Sequence, residues 1–255
     1  MTSLLRRLPK ALVLPFCLIA PAAPAAELYC PQTETRISVL GDSLSDGVWA
    51  SLFRSWRGCA TVKLDRVTKV SDGLTVTSPE DWAARLAASL DGAKADVVIV
   101  QFGANDIRPV RTADGRAMFG TEDWATAYGE RVTTLLTALE PQAARAIWLG
   151  LPIVGDEKLE GSYVGVTAAQ LAAVTDWSGA MPATFVDIHE ATKFGTGAFV
   201  QSAEVDGSMV QLRAGDLIHF TDKGYDMVAA TFTADLEAGL RARDAEKALN
   251  ELALQ

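Results

Sequence analysis

Ser43 lies where a short apolar run ends and an amphipathic helix begins, in the segment Gly41-Asp-Ser-Leu-Ser45. A strand that turns directly into a helix exposes the side chain at the turn, and the helix N-terminus directs free backbone N–H groups at the same point. A serine hydroxyl there can attack a carbonyl carbon, and those N–H groups can stabilise the negative charge that forms. Taken alone, the segment fits equally well with Asp42 and Ser43 acting only as a helix cap.

A histidine with a nearby carboxylate could activate such a serine. The chain has only two histidines, and Asp216 precedes one of them, His219, by three residues at the start of a predicted helix. The aspartate can then accept a hydrogen bond from one ring nitrogen while the other nitrogen faces a serine. In isolation, an ordinary loop aspartate and a histidine at a helix start explain the pattern better. The second histidine, His189, lacks this arrangement and is predicted to be a surface or strand-end residue.

Two further segments could supply hydrogen-bond donors to an oxyanion. Asn105 follows the apolar run 96–102, and its amide is a donor that does not titrate. Gly73 follows a second predicted strand. Because glycine has no side chain, nothing of its own shields its backbone N–H. Each signal is weak alone, because glycine in a loop usually forms a turn and asparagine after a strand usually caps it. If the strands are neighbours, both residues should lie near Ser43, since ligands bind beyond the carboxyl ends of parallel strands.

Strand and helix patterns alternate along the chain, which is typical of a parallel sheet covered by helices on both faces. The predicted strands are 36–41, one within 60–70, 96–102, 146–150 and 184–187. Predicted helices start near Ser43, after Ser78, at Thr121 and near Thr221, and the charged tail extends the last one into solvent. The first helix has an apolar stripe formed by Leu44, Val48, Trp49, Leu52, Phe53 and Trp56. A hairpin is predicted within 198–213, around Asp206-Gly207.

Residues 1–26 have the layout of a secretory signal peptide: a basic start, a short apolar run, and then small residues with prolines. The apolar run is too short to span a bilayer. The sequence therefore predicts an exported protein, periplasmic or secreted, with one domain over residues 27–255. The whole chain has 23 Lys and Arg against 32 Asp and Glu. The leader contains three of the basic residues and no acidic ones, so the net charge after its removal is 20 − 32 = −12. That charge disfavours nucleic acid and anionic membrane surfaces as partners.

Cys30 and Cys59 are the two cysteines that remain after the leader. Both are predicted at the amino edge of the sheet, one just before the first strand and one just after the first helix. In an exported protein this placement favours a disulfide. Two free thiols are the alternative, because sequence does not fix the distance between them.

Together the four segments, in this order, resemble the SGNH (GDSL-type) hydrolase superfamily. The superfamily is named after four residues, which here are Ser43, Gly73, Asn105 and His219. The connecting segments 119–124, 148–152 and 212–214 extend the likeness, which is closest to a bacterial envelope branch labelled as a domain of unknown function. The resemblance implies a three-layer α/β/α, flavodoxin-like fold with a central parallel sheet of about five strands.

The resemblance also implies a serine esterase that needs no cofactor, and the residues support the same chemistry. Ser43 would attack an ester carbonyl, His219 would take its proton, and Asp216 would hold the imidazole. The oxyanion hole would consist of the N–H groups of Ser43 and Gly73 and the amide of Asn105. An O-acyltransferase with the same triad, or a non-catalytic glycan-binding module, are the alternatives, and the complete triad disfavours the second. No cluster of His, Cys and Asp has metal-ligand spacing, so no metal is expected.

The segment after Asn105 indicates the substrate class. It carries Arg108, Arg111 and Arg116 among polar residues, and arginines suit sugar hydroxyls or carboxylates. No continuous apolar groove for a long acyl chain is expected near the four segments. The sequence therefore favours a short acyl group, with acetyl first, on a small molecule or on a cell-envelope or extracellular glycan. Alternatively, the arginines only pair with surface acids.

Overall fold

The computed structural model describes residues 28–253, so the predicted signal peptide lies outside the described residues. Five parallel strands form the central sheet: β1 (Thr35–Gly41), β2 (Val62–Thr68), β3 (Val97–Gln101), β6 (Ala146–Leu149) and β7 (Ala183–Val186). Their order is β2-β1-β3-β6-β7, and every neighbouring pair is parallel. The predicted sheet is confirmed. The strand order reverses between β1 and β3, which places a binding crevice at their carboxyl ends.

Five helices cover the two faces of this sheet. They are α1 (Ser43–Ser55), α2 (Pro79–Leu90), α3 (Glu122–Leu139), α4 (Glu157–Thr175) and α5 (Asp222–Ala253). Helix α1 packs against α5, whereas α2, α3 and α4 pack side by side. The α/β/α fold is therefore confirmed. No helix within residues 28–253 has both the length and the apolar character needed to cross a membrane.

The core lies where helices meet the sheet. Every residue of β3 is buried because both of its faces are covered, which explains its uninterrupted apolar sequence. On α1 the residues Leu44, Val48, Leu52 and Trp56 are buried as predicted. Phe53 is not part of this stripe: it is 51 % exposed and stacks on Trp49 with ring centroids 5.2 Å apart.

Two antiparallel hairpins lie outside the main sheet. The hairpin of β8 (Ser202–Val205) and β9 (Ser208–Gln211) turns at Asp206-Gly207, as predicted. Both turn residues have positive φ, which suits a tight two-residue turn. The second hairpin, β4 (Val110–Thr112) with β5 (Gly115–Ala117), is not predicted from the sequence, and neither is α4.

The chain before β1 is fixed at two points. Cys30 and Cys59 are joined by a disulfide, with their Cα atoms 5.6 Å apart. Asp244 of α5 accepts hydrogen bonds from Gln32 N, at 2.8 Å, and from Thr33 Oγ1, at 3.0 Å. Asp244 is only 6 % exposed. The charged end of α5 is mostly exposed over residues 241–249, as expected, but Asp244 is an exception because it holds the start of the domain.

Candidate active site

Ser43 is the first residue of α1 and lies at the carboxyl end of β1. The preceding Gly41 has φ of 147°, and a Cβ on it would lie 1.9 Å from the carbonyl oxygen of Gln101 in β3. Only glycine allows this close approach, so Gly41 sets the sharp turn from strand to helix. Asp42 caps α1 by accepting a hydrogen bond from Leu44 N at 2.9 Å. The side chain of Ser43 is left half-buried at the edge of the crevice.

His219 lies against Ser43 although the two are 176 residues apart in sequence. Its Nε2 is 2.7 Å from Ser43 Oγ, and its Nδ1 is 2.6 Å from Asp216 Oδ2. The other carboxylate oxygen accepts hydrogen bonds from the backbone N–H groups of Ile218 and His219, at 3.0 and 2.9 Å. Three side chains predicted from separate parts of the sequence thus form one hydrogen-bonded line.

The charge of Asp216 is secured by those hydrogen bonds. Partial burial would raise its pKa, but the hydrogen bonds from the His219 ring and from the backbone N–H groups of Ile218 and His219 outweigh burial and lower the pKa to about 2. An ionised Asp216 can only accept a hydrogen bond. We therefore assign the ring proton of His219 to Nδ1, which leaves Nε2 as the acceptor facing Ser43.

Arg213 holds the loop that carries Asp216 and His219. This guanidinium is fully buried and donates to the carbonyl oxygens of Ile218, at 3.0 Å, and Ile153, at 2.6 Å. Its Cζ lies 3.8 Å from the ring centre of Phe220, so the aromatic face helps to stabilise the cation. Burial lowers its pKa to about 10. No role was predicted for Arg213, because two of its acceptors, Ile153 O and Thr192 O, lie 60 and 21 residues away in sequence.

The loops that carry Asn105 and Gly73 are in contact, and they follow β3 and β2, the two strands that pair with β1. Asn105 Nδ2 donates to the carbonyl oxygen of Asp72 at 2.9 Å, which leaves its second N–H for another acceptor. The sequence suggested that the backbone N–H of Gly73 is free. In the structure it is not, because it donates to Asp72 Oδ1 at 2.8 Å. Within the described part of the chain, Ser43 N has no hydrogen-bond acceptor.

Two buried carboxylates, Asp42 and Asp106, fix the backbone on either side of Asn105. Asp42 accepts from Ala104 N at 3.2 Å, and Asp106 accepts from Thr75 N and from Tyr128 Oη, both at 2.8 Å. Burial raises the pKa of both groups, that of Asp42 to about 7. Neither residue is predicted from the sequence to support the site, although Asp42 directly precedes Ser43 and Asp106 directly follows Asn105.

Asp106 also explains why position 73 is glycine. A Cβ on Gly73 would lie 2.4 Å from Asp106 Oδ1, well inside contact distance. The residue does not have a positive φ, so the requirement is for space rather than for an unusual backbone conformation. The loop 72–75 can therefore lie directly on the buried carboxylate.

Two recesses are lined by residues of the predicted site segments or of the chain that directly follows them. One, of about 490 Å³, lies beside Thr75 and is lined by Arg108, Arg111 and Arg116. The other, of about 440 Å³, lies beside Asp216 and has the apolar lining residues Ile107, Leu159, Leu217 and Ile218. The other half of its lining is polar, namely Asp156, Lys158, Ser162 and Asp216, so this apolar surface was not predicted but is not a continuous apolar groove. A wider groove of about 1120 Å³ between α3 and α4 contains none of the residues of the four segments.

His189 has a partner that the sequence does not reveal. Its Nε2 lies 2.5 Å from Glu160 Oε1, and the other oxygen of Glu160 accepts from Val154 N at 2.8 Å. The side chain is only 24 % exposed. His189 lies just after the end of β7, in agreement with the predicted strand-end position. Its carboxylate partner was not predicted, because Glu160 belongs to α4, a helix that was also not predicted. No three His, Cys, Asp or Glu among the described side chains are grouped so as to hold a metal ion.

The chain belongs to the family described as Protein of unknown function (DUF459), whose model matches residues 36–235. A search of curated proteins found no match.

Solved structures share the fold at low sequence identity. A carbohydrate esterase family 3 protein from Talaromyces cellulolyticus has a TM-score of 0.54 and 16 % identity, covering 82 % of this chain and 99 % of its own. The acetyl xylan esterase Axe2 from Geobacillus stearothermophilus has a TM-score of 0.54 and 15 % identity, covering 82 % and 96 %. A GDSL-like lipase from Bacteroides thetaiotaomicron has a TM-score of 0.51 and 13 % identity, covering 81 % and 89 %. The fold expected from the SGNH resemblance is confirmed.

Proposed function

We propose that this protein is a serine esterase whose triad is Ser43, His219 and Asp216. The observation that carries the proposal is the line of hydrogen bonds from Ser43 Oγ to His219 Nε2, at 2.7 Å, and from His219 Nδ1 to Asp216 Oδ2, at 2.6 Å. The fold supports it as well, since proteins described as a carbohydrate esterase, an acetyl xylan esterase and a GDSL-like lipase share that fold.

In this mechanism Ser43 Oγ attacks the ester carbonyl carbon while its proton moves to His219 Nε2. The anionic Asp216 stabilises the imidazolium that results. When the tetrahedral intermediate collapses, the C–O bond to the alcohol breaks and His219 donates its proton to the leaving oxygen. Water, deprotonated by the same histidine, then attacks the acyl-enzyme and releases the acid.

The negative charge on the carbonyl oxygen needs donors that are already in place. Among the described residues Ser43 N has no acceptor, so it is the first proposed donor. The bond from Asn105 Nδ2 to Asp72 O leaves the second N–H of that amide as another. Gly73 N is the third proposed donor, and an oxyanion there shares or replaces its present bond to Asp72 Oδ1. Because Asp42 and Asp106 fix the backbone around Asn105, this donor requires little rearrangement during the reaction, whereas the N–H of Gly73 has to share or exchange its acceptor.

We further propose an exported enzyme whose domain spans 27–255 and which releases short acyl groups, acetyl first, from an envelope or extracellular glycan. The bond between Cys30 and Cys59 supports export, because disulfides persist in oxidising compartments. The polar, arginine-lined side of the crevice supports a hydrophilic alcohol component. The apolar recess beside Asp216 makes the length of the acyl chain a necessary measurement.

Hydrolysis of p-nitrophenyl acetate by single-residue variants tests the triad. Ser43→Ala and His219→Ala should each lower kcat by on the order of 10⁴-fold or more, because triad residues act as a unit. Asn105→Ala should lower it by about 100-fold, as for one oxyanion donor. Ser55→Ala, on the exposed far end of the same helix, is the matched control and should keep full activity. Unchanged turnover in Ser43→Ala, with an unchanged circular dichroism spectrum, would refute the assignment.

A further inference from the structure

Four arginines surround a single recess beside the proposed oxyanion hole. Its lining residues are Thr75, Val76, Ser78, Arg108, Pro109, Arg111, Arg116 and Arg131. Among residues 28–253, no carboxylate belongs to that lining. We call this feature of about 490 Å³ the arginine recess.

These arginines form no ion pairs. Within the part of the chain that the structure describes, none of the four has a carboxylate oxygen within 4.0 Å. Carboxylates do line two adjoining recesses, Glu80 and Glu130 beside Arg111 and Arg131, and Asp114, Asp123 and Glu130 beside Arg116, but none of them is within ion-pair distance. In a chain with a formal net charge of −9, acidic partners are abundant, so the four positive charges are concentrated locally without being paired.

The hairpin of β4 and β5 even places two of the charges opposite each other. Arg111 and Arg116 are directly paired across its two strands. Like charges in this position destabilise a hairpin. The hairpin is nevertheless well anchored, because Val110 and Ala117 are buried and Trp124 Nε1 donates to the carbonyl oxygen of Arg108 at 2.7 Å. A fixed pair of opposed arginines is what an anionic ligand would stabilise.

The recess adjoins the proposed reaction centre through two short connections. Thr75 lies two residues after Gly73 and is bonded to Asp106, while Arg108 lies three residues after Asn105. Arg131 donates to the carbonyl oxygen of Leu74 at 2.7 Å, which ties the recess to the same loop. A sugar whose ester group reaches Ser43 can therefore extend its neighbouring groups over the arginines.

We propose that the arginine recess binds an anionic group, a carboxylate or a sulfate, on the carrier of the ester, so that the substrate is an acidic glycan. This inference rests on the proposed esterase function and specifies its substrate class. The planar guanidinium donates two parallel hydrogen bonds to such groups, which makes arginine well suited to this recognition. The neutral hydroxyls of a plain glycan would leave the four charges without a partner.

Three acetylated polymers that share the dextran backbone and differ in charge test the proposal: neutral acetylated dextran, acetylated carboxymethyl dextran and acetylated dextran sulfate. At low salt, kcat/KM for acetate release should be higher on a charged carrier than on the neutral one, and the preferred charged carrier identifies the anion. In the double variant Arg111→Gln/Arg116→Gln this preference should fall about tenfold or more, since each charge-assisted hydrogen bond contributes strongly. Arg57→Gln, an exposed arginine at the far end of α1, is the matched control and should keep the preference.

The two proposals fail in different ways. If p-nitrophenyl acetate is hydrolysed in a Ser43-dependent manner but the three carriers are used equally, the arginine recess is overturned and the esterase stands. A preference that survives in the double variant overturns it too.

Binding tests the recess without turnover. By calorimetry, unacetylated carboxymethyl dextran or dextran sulfate should bind wild type and Arg57→Gln at least tenfold more tightly than the double variant. Equal affinities would overturn the proposal whatever the enzyme activity is.

Discussion

Asp42 should make the folded protein less stable as the pH rises from about 4 to about 7. Burial raises the pKa of this carboxyl from 3.8 to about 7, and the hydrogen bond from Leu44 N opposes that effect only in part. Between these values the folded protein keeps the proton that the unfolded chain has lost. The folded state then binds more protons, so its stability falls as the pH increases. The rise of the Asp42 pKa from 3.8 to about 7 corresponds to a loss of roughly 4 kcal/mol of unfolding free energy across this pH range.

Asp42→Asn isolates this contribution. The amide keeps the shape but cannot ionise, and it loses one of the two acceptor oxygens that serve Leu44 N and Ala104 N. That loss is the same at every pH, so the informative quantity is how the difference in unfolding free energy between wild type and variant changes with pH.

Urea unfolding followed by tryptophan fluorescence between pH 4 and pH 8 measures this difference. Wild type should lose stability relative to Asp42→Asn by roughly 4 kcal/mol across the range. Asp81→Asn, an exposed position in the first turn of α2, is the control and should show a nearly constant difference. A constant difference for Asp42→Asn, or one that grows in favour of wild type, would refute the argument.

Three further predictions concern the site and the disulfide. Esterase activity should fall as the pH drops below neutrality, because a protonated His219 cannot accept the Ser43 proton. The pKa of Asp216, at about 2, keeps that carboxylate ionised throughout, so a rate that is flat from pH 8 to pH 5 would contradict a histidine base. Intact-mass analysis of exported protein should show no alkylation of Cys30 or Cys59 before reduction, and two alkylated thiols would contradict the bond. Across acetyl, butyryl and octanoyl esters, kcat/KM should be highest for acetyl; a steady rise toward octanoyl would instead assign the apolar recess beside Asp216 to the acyl chain.

Strands and most helices were predictable because their signals are local. The apolar run of β3 reflects burial on both faces, and the helix starts at Ser78 and Thr121 reflect side chains that accept from the first turn of each helix. Helix α4 also begins after a capping side chain, Asp156, but its small residues, including Gly161 and Gly165, blur the apolar face, so the helix was not predicted. The strands of β4 and β5 have only three residues each, too few for a recognisable alternation.

Some features of the candidate site were likewise predictable from local sequence, and others were not. The relation between Asp216 and His219 is a spacing of three residues, and the position of Ser43 follows from the turn after β1, so both could be read from sequence. The burial of Asp42 and the long-range contacts of Arg213 depend on segments that meet only in the folded chain. Sequence patterns do not report such contacts.

The end of α5 has a consequence for the order in which the molecule can be completed. Tyr29 N donates to Glu237 Oε1 at 2.7 Å, and Asp244 accepts from Gln32 and Thr33, so the first described residues are held by the last helix. His219, too, lies just before that helix. Fixing the start of the domain and bringing Ser43 to His219 therefore both require chain that lies 176 or more residues later in the sequence. The candidate site can form only once the chain as far as the start of α5 has been synthesised.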